Sequence, residues 1–334
     1  MAEEKIRVIQ YGLGPIGQET AKLAMQKSNI EIVGAVDISK DIIGRDLGQV
    51  LGLKSDAGIV VTDKAEKLFS HVNADVVVHC AGSKIRTVFS QLEEILDGGI
   101  NIVSSAEELL FPSNENKKPA QALDRKARDR GVTILGTGVN PGFIMDALPL
   151  HLTAVCQNVR YVSVERIVDA GTRRLPLQKK VGAGLSEETF RELVAKKSLG
   201  HVGLVESMLF VAHYLGVTLD AVEETIDPVI AEYPMKTAYI DLKKGDVAGI
   251  KHIVKGIKGN ETIVDLDLRM YVGAENPHDV IHIIGTPNIS LTIDGGVAGD
   301  QATSAILVNS IPGTVDAKPG LLTVKDLPVP HYYR

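Results

Sequence analysis

Along the first 140 residues, short apolar runs rich in Val, Ile and Ala alternate with longer stretches whose apolar positions recur every three or four residues. The short runs suit strands buried on both faces and the longer stretches suit amphipathic helices, so the alternation predicts a parallel sheet with crossover helices. Strands are expected at 6–11, 31–36, 58–61, 74–79, 101–104 and 132–135, with helices near 17–26, 65–71, 85–96 and 118–130. Beyond residue 140 the rhythm changes. Segments 159–168, 238–242, 247–257, 262–272, 279–284 and 290–293 read as strands, several joined by short glycine turns such as KKGD and KGNE, with helices at 186–196 and 202–215 between them. The pattern as a whole is α/β: a doubly wound parallel sheet over residues 1–140, then an α+β domain with an open mixed sheet over 141–299. A late apolar-faced helix at 301–309 (QATSAILVN) and the Pro/Gly-rich tail to 334 are expected to return and complete the first domain.

The turn after the first strand, within VIQYGLGPIG at 8–17, carries Gly12, Leu13, Gly14, Pro15, Ile16 and Gly17. Glycines spaced G-x-G-x-x-G recur by chance, but here they lie between a strand and a helix, and the second strand ends at Asp37, about 20 residues on. In that register Gly12 permits the tight turn, Gly14 lets a pyrophosphate approach the backbone, and Gly17 lets helix and strand pack closely. The pyrophosphate would rest on the helix N-terminus beginning near Pro15, and Asp37 would accept from the adenosine ribose hydroxyls. This is the fingerprint of a Rossmann dinucleotide-binding domain. Asp37 favours NAD by repelling a 2′-phosphate, while Lys40 and Arg45 soften that preference and keep NADP open.

Composition narrows the class without naming a function. The chain has 334 residues, a formal charge of −6 and no long basic cluster, which argues against nucleic acid or an anionic membrane as a partner. No apolar stretch reaches transmembrane length, and MAEEKIRVIQ passes straight into a strand, so a cytoplasmic setting is expected. The two cysteines, Cys80 and Cys156, make no disulfide framework and read as small buried hydrophobes. The nine histidines fall in no ligand spacing, so no metal is expected.

In an open parallel sheet ligands bind beyond the carboxyl ends of the strands. After the fourth strand come Cys80, Ala81, Gly82 and Ser83, small enough for a nicotinamide ribose to approach, with Ser83 equally suited to capping a helix. After the fifth comes SSAEELLFP, where Glu107 and Glu108 offer a general base or an ammonium-binding group. The same pair would also favour the first turn of a helix, and only one can face a cleft comfortably. After the sixth comes GTGVNPGFIMD at 136–146, a tight loop in which Asn140 both donates and accepts.

GLGPIG with GAVD, then SSAEEL, GVNPGFIMD, GHVGLVES at 200–207 and the ending NSIPGTVDAKPGLLTVKDLPVPH together resemble the 2,4-diaminopentanoate dehydrogenases and related amine dehydrogenases, relatives of dihydrodipicolinate reductase. The likeness spans nearly the whole chain. It implies NAD(P)-dependent oxidative deamination of an amine or diamino acid, or reductive amination of a ketone with ammonia, by a protein expected to be a homodimer. By the same resemblance the catalytic carboxylate is Glu107 or Glu108, with Glu107 preferred as the one nearer the strand end. Asn140 also touches cofactor, and Asn140, Pro141, Phe143, Met145, Arg166, Gln178 and His201 line the substrate pocket, the second domain thus serving substrate and dimer contacts.

Two other readings remain. A dihydrodipicolinate reductase-like imine reductase shares the fold, but that family's paired histidines, following Lys and D-A-P-S-G-T segment have no counterpart here; the nearest stretch is VDAGTRRLPLQKKVGAG at 168–184. A non-catalytic NAD(P) sensor would keep the glycines and Asp37 but would not need an acidic residue in the cleft.

Overall fold

β1 (Ile6–Tyr11), β2 (Ile30–Val36), β3 (Val61–Thr62), β4 (Val76–His79), β5 (Asn101–Ser104) and β6 (Thr133–Gly136) form a parallel sheet with spatial order β6-β5-β4-β1-β2-β3. The computed structural model describes residues 5–113 and 116–333. Between these strands run α1 (Pro15–Ala24), α2 (Leu47–Val50), α3 (Ala65–His71), α4 (Ile85–Asp97) and α5 (Lys117–Arg130). The strands are mostly apolar because both faces are covered. Ile9, Val77, Ile102 and Ile134 point to the side of α4 and α5, where Leu92, Ile95 and Leu123 meet them, while Val8, Val76, Val78 and Val103 point to the side of α1. Alternation with period two thus places successive valines in two different cores.

The chain divides into two units, one holding the described residues up to Phe143 and from Ala298 onward, the other Ile144–Val297. The second unit contains α6 (Ala147–Leu152), β7 (Asn158–Asp169), α7 (Leu175–Lys180), α8 (Glu187–Ala195), α9 (Leu204–Tyr214), β8 (Ala221–Ile230), β9 (Met235–Lys236), β10 (Asp241–Leu242), β11 (Val247–Lys258), β12 (Glu261–Tyr271), β13 (His278–Thr286) and β14 (Ile289–Asp294). Its six-stranded mixed sheet runs β14-β13-β7-β12-β11-β8, with β7 and β12 parallel and the other pairs antiparallel. One face, carrying Ile250, Val254, Leu266 and Leu268, is buried, and α9 packs on β11 and β12.

α10 (Gly299–Val315) and β15 (Gly320–Leu322) belong to the first unit. α10 buries Leu307, Val308 and Ile311 on the α1 side of the parallel sheet, and β15 extends that sheet to seven strands beside β6.

The α/β architecture follows the hydrophobic pattern, and the differences have local causes. β8 is a ten-residue strand that the sequence pattern does not mark, because AVEETIDPVI carries four acidic residues or prolines in its middle. It is an edge strand, where Pro228 and an exposed acidic face are tolerated. The strand expected over 238–242 shrinks to the two-residue β10 paired with β9. β15, in the tail, lacks the length to register as a periodic run. Among the described residues, no helix is long and apolar enough to cross a membrane.

Candidate active site

In the parallel sheet the strand order reverses between β1 and β4, so the crevice beyond their carboxyl ends is where a ligand of such a sheet binds. The glycine turn and the segment after β4 meet there. Gly12 adopts φ +88°, and a Cβ on it would lie 2.7 Å from the Cys80 carbonyl oxygen. A Cβ on Gly17 would lie 1.9 Å from the Gly12 carbonyl oxygen, so helix α1 can start this close to its strand only with glycine at that position. Gly14 is different: it is exposed, a Cβ there would meet nothing within 4 Å, and as N-cap of α1 it supplies no side-chain cap. The α1 N-terminus therefore presents backbone N–H groups across open space, the cradle a pyrophosphate fits.

Asp37 is built into the same loop. Its Oδ2 accepts from the Leu13 N–H at 2.6 Å and its Oδ1 from the Ser39 N–H at 2.8 Å. Each carboxylate oxygen keeps a second lone pair, so ribose hydroxyls can still be bound by a side chain already oriented. Gln10, which the motif does not single out, is 1% exposed and donates from Nε2 to the Gly12 carbonyl at 3.0 Å, holding the turn from below. Replacing Asp37 with serine is expected to raise kcat/KM with NADP relative to NAD by about tenfold. Steady-state kinetics with both cofactors checks this, and an unchanged ratio would refute the ribose assignment.

His79 ends β4 fully buried, with Nδ1 3.0 Å from Ser104 Oγ, Nε2 2.9 Å from Gln91 Oε1 and its ring against Tyr11. Burial pulls its pKa down to about 4, so it stays a neutral structural imidazole near pH 7. Burial likewise pushes the Cys80 thiol up to about 11, which leaves it a thiol and not a nucleophile. Ala81, Gly82 and Ser83 continue into α4; a Cβ on Gly82 would press on Val88 at 2.9 Å. The N-cap position of α4 is Lys84, one residue beyond Ser83, and it makes no side-chain cap.

That cap comes from elsewhere. Glu108 Oε2 accepts from the Ile85 N–H, the first of α4, at 2.8 Å, and the Glu108 N–H donates to the Ser83 carbonyl at 3.2 Å. Glu107 and Glu108 open a single 3₁₀ turn, Glu107–Leu109, where consecutive side chains point about 120° apart. With Glu108 turned to the α4 N-terminus, where its charge meets the helix dipole, the half-buried Glu107 faces a different direction. The turn is fixed by Gly136 at the end of β6, whose Cβ would lie 2.4 Å from Leu109 Cβ.

The loop after β6 folds back on itself: Gly142 has φ +128°, and a Cβ on it would lie 2.3 Å from the Gly138 nitrogen. The Val139 N–H donates to Thr303 Oγ1 of α10 at 3.4 Å. This leaves Asn140 and Phe143 half-buried and Pro141 buried. The first unit thus brings together the glycine turn, Asp37, residues 80–83 and the glutamate turn.

The second unit places its expected pocket residues in supporting contacts. Met145 is fully buried. Arg166 is 3% exposed, with Nη1 2.6 Å from Asp279 Oδ1 and Nη2 donating to the Val297 carbonyl at 2.7 Å; its burial lowers its pKa against the pull of Asp279. Gln178, fully buried, donates to the carbonyls of Arg173 (2.8 Å) and Gly171 (3.3 Å) and accepts from Thr237 Oγ1 at 3.0 Å. Asp146, the last residue of the quoted NPGF stretch, caps α6 through the Ala147 N–H and accepts from Ser207 Oγ at 2.6 Å, so two of the diagnostic motifs are joined through a buried carboxylate. Asp146 closes the quoted NPGFIMD stretch, whereas Asp279 carries no signal in the sequence beyond being an acidic residue in apolar surroundings.

Comparison with known proteins bears on the whole chain. Residues 143–333 match the family model of the 2,4-diaminopentanoate dehydrogenase C-terminal domain, and residues 6–106 match that of the dihydrodipicolinate reductase N-terminus. The chain is 33% identical to 2,4-diaminopentanoate dehydrogenase of Acetoanaerobium sticklandii over 98% of its own length and 94% of the relative's. It is 23% identical to an amine dehydrogenase of Streptomyces virginiae over 97% and 96% of the two chains. The solved amine dehydrogenase of Mycobacterium smegmatis superposes with a TM-score of 0.86 at 26% identity, covering 99% of this chain and 98% of that one.

Proposed function

The chain belongs to the 2,4-diaminopentanoate dehydrogenase family of NAD(P)-dependent oxidoreductases acting on amines, and from that membership we propose that it oxidatively deaminates a diamino acid of the 2,4-diaminopentanoate kind, with Glu107 as its acid–base group. The observation that carries the assignment is the division of labour in the acidic pair. Glu108 caps the α4 N-terminus, and Glu107, on the same turn and nearer the carboxyl end of β5, is the carboxylate we assign to the crevice.

In this reading the glycine turn and the α1 N-terminus hold the pyrophosphate, Asp37 holds the ribose, and the chain at 80–83 admits the nicotinamide end. When bound, the nicotinamide supplies the hydride acceptor. The rest is done by the chain. Glu107 attracts the substrate ammonium and takes its proton so that the nitrogen lone pair can expel hydride from the carbon; it passes that proton to solvent, takes one from the water that attacks the substrate iminium, and returns it to the amino nitrogen as the C–N bond breaks. Ammonia and a ketone leave; the reverse course is reductive amination. By resemblance Asn140, Pro141, Phe143, Met145, Arg166, Gln178 and His201 are the substrate residues, and Arg166 and Gln178 also hold their own segments in place. A homodimer is part of this reading, carried over from the resemblance, in which the second domain's open mixed sheet serves dimer contacts. So is a cytoplasmic setting, supported by two free cysteines.

A panel of mono- and diamines and diamino acids, offered with NAD and with NADP and followed by the absorbance of the reduced cofactor, tests the reading. Turnover is expected with a diamino acid. Tight cofactor binding without turnover of any amine would instead favour a nucleotide sensor.

A further inference from the structure

Two buried groups that the chemistry above leaves unused hold one segment of the second unit. Between α8 and α9 the chain takes left-handed backbone at Lys197 (φ 53°), Gly200 (φ 143°) and Gly203 (φ 99°), and carries His201 among them. Such a turn has no periodic hydrogen-bond ladder of its own, so its position depends on what its backbone groups meet. The His201 N–H donates to Nδ1 of His252 at 3.4 Å. His252 stands on the buried face of β11 at 1% exposure, and its Nε2 lies 2.9 Å from Glu224 Oε1 on the edge strand β8. An imidazole that accepts at Nδ1 must carry its proton at Nε2, so Nε2–H donates to Glu224 and the carboxylate selects the tautomer. The His252 hydrogen bond holds the Glu224 carboxyl below its ordinary range. At the far end of the segment, Ser207 in the first turn of α9 donates to buried Asp146.

We propose that His252, oriented by Glu224, is a positioning residue that sets the place of the His201 turn, and through it the fit of the amine substrate. This rests on the reading of His201 as a pocket residue. The neutral imidazole is needed as an acceptor, not as an acid or base, because its Nδ1 lone pair is what the turn's N–H meets. Asparagine places an oxygen near the Nδ1 position and can serve as that acceptor; leucine fills the space without one.

The test compares H252L, H252N and H201A in the full-length enzyme, with KM for the amine, KM for the cofactor, kcat and amide exchange at His201 as readouts. H252L is expected to raise the amine KM about tenfold and to lose exchange protection at His201, with cofactor KM and kcat within about twofold, and H252N to recover most of both. An unchanged amine KM in H252L, or H252N no better than H252L, overturns the proposal. So does a loss in H252L spread equally over kcat and both KM values, the mark of general destabilisation. H201A separates the premise: an amine KM unmoved by that change removes His201 from the pocket, whatever the exchange data say of the hydrogen bond. If H252L does not fold, the exchange and KM of H252N against the parent decide, since an amine KM within about twofold and retained protection at His201 are expected, and a raised KM with lost protection at His201 would overturn the acceptor role.

Discussion

Glu107→Gln is expected to lower kcat for amine oxidation about 10²-fold or more while cofactor affinity stays near its original value. Glutamine keeps the size of the side chain and its place on the 3₁₀ turn after β5, and the Leu109 contact to Gly136 that fixes the turn is untouched. What it cannot do is attract an ammonium by charge or take up its proton. Glu108→Gln is the matched control. Its oxygen can still accept from the Ile85 N–H, so the loss is the charge–dipole contribution, about 0.3–1 kcal/mol of stability, and kcat should hold within a few-fold. Stopped-flow or steady-state rates and fluorescence titration with the reduced cofactor give both quantities. If instead Glu108→Gln abolished turnover and Glu107→Gln did not, the cap would have to open during catalysis and the roles would exchange.

The second large effect concerns stability. Arg166 and Asp279 form an ion pair at 3% and 1% exposure, and together they also satisfy both backbone groups of Val297: Arg166 donates to its carbonyl, and its N–H donates to Asp279 Oδ2 at 2.7 Å. Removing one partner strands the other charge in the interior, which costs about 3–5 kcal/mol. For a unit of this size that lowers Tm by on the order of 10 °C. Arg166→Leu and Asp279→Leu should each show the drop. The double replacement should recover only part of it, because the Val297 backbone groups remain without their partners. Thermal unfolding of the four proteins closes the cycle. An Arg166→Leu enzyme with an unchanged Tm and a raised amine KM would show that the guanidinium serves the substrate before it serves the fold.

Much of the first unit is legible along the chain. The glycine turn could be read because a strand, a helix and Asp37 lie in fixed register around it, and each constraint is local: a tight turn, a helix start, a strand end. Five of the six expected parallel strands could be read because burial on both faces favours apolar residues; the third, expected over 58–61, is only the two-residue β3, Val61–Thr62, with Val60 exposed. β8 could not, since an edge strand with one solvated face can carry Glu223, Glu224, Asp227 and Pro228 and still pair with β11. The acidic pair was visible as a pair, and the capping contact of Glu108 was not, because the N–H it accepts from lies 23 residues away on α4.

The second unit shows the same limit more strongly. Arg166, Gln178 and His201 stand out by type and by family likeness, yet their partners, Asp279 and Val297 for the first, Thr237 and the 171–173 backbone for the second, His252 for the third, come from strands and turns distant in sequence.

Sequence alone therefore determined the α/β architecture, the dinucleotide-binding glycine turn and the place of the acidic pair after the fifth strand, because all of these follow from short-range periodicity and turn chemistry. That Glu108 caps α4, and which partners hold Arg166, Gln178 and Asp146, was decided only by tertiary structure, because a buried donor or charge takes the partner that packing brings within hydrogen-bond reach, regardless of separation along the chain.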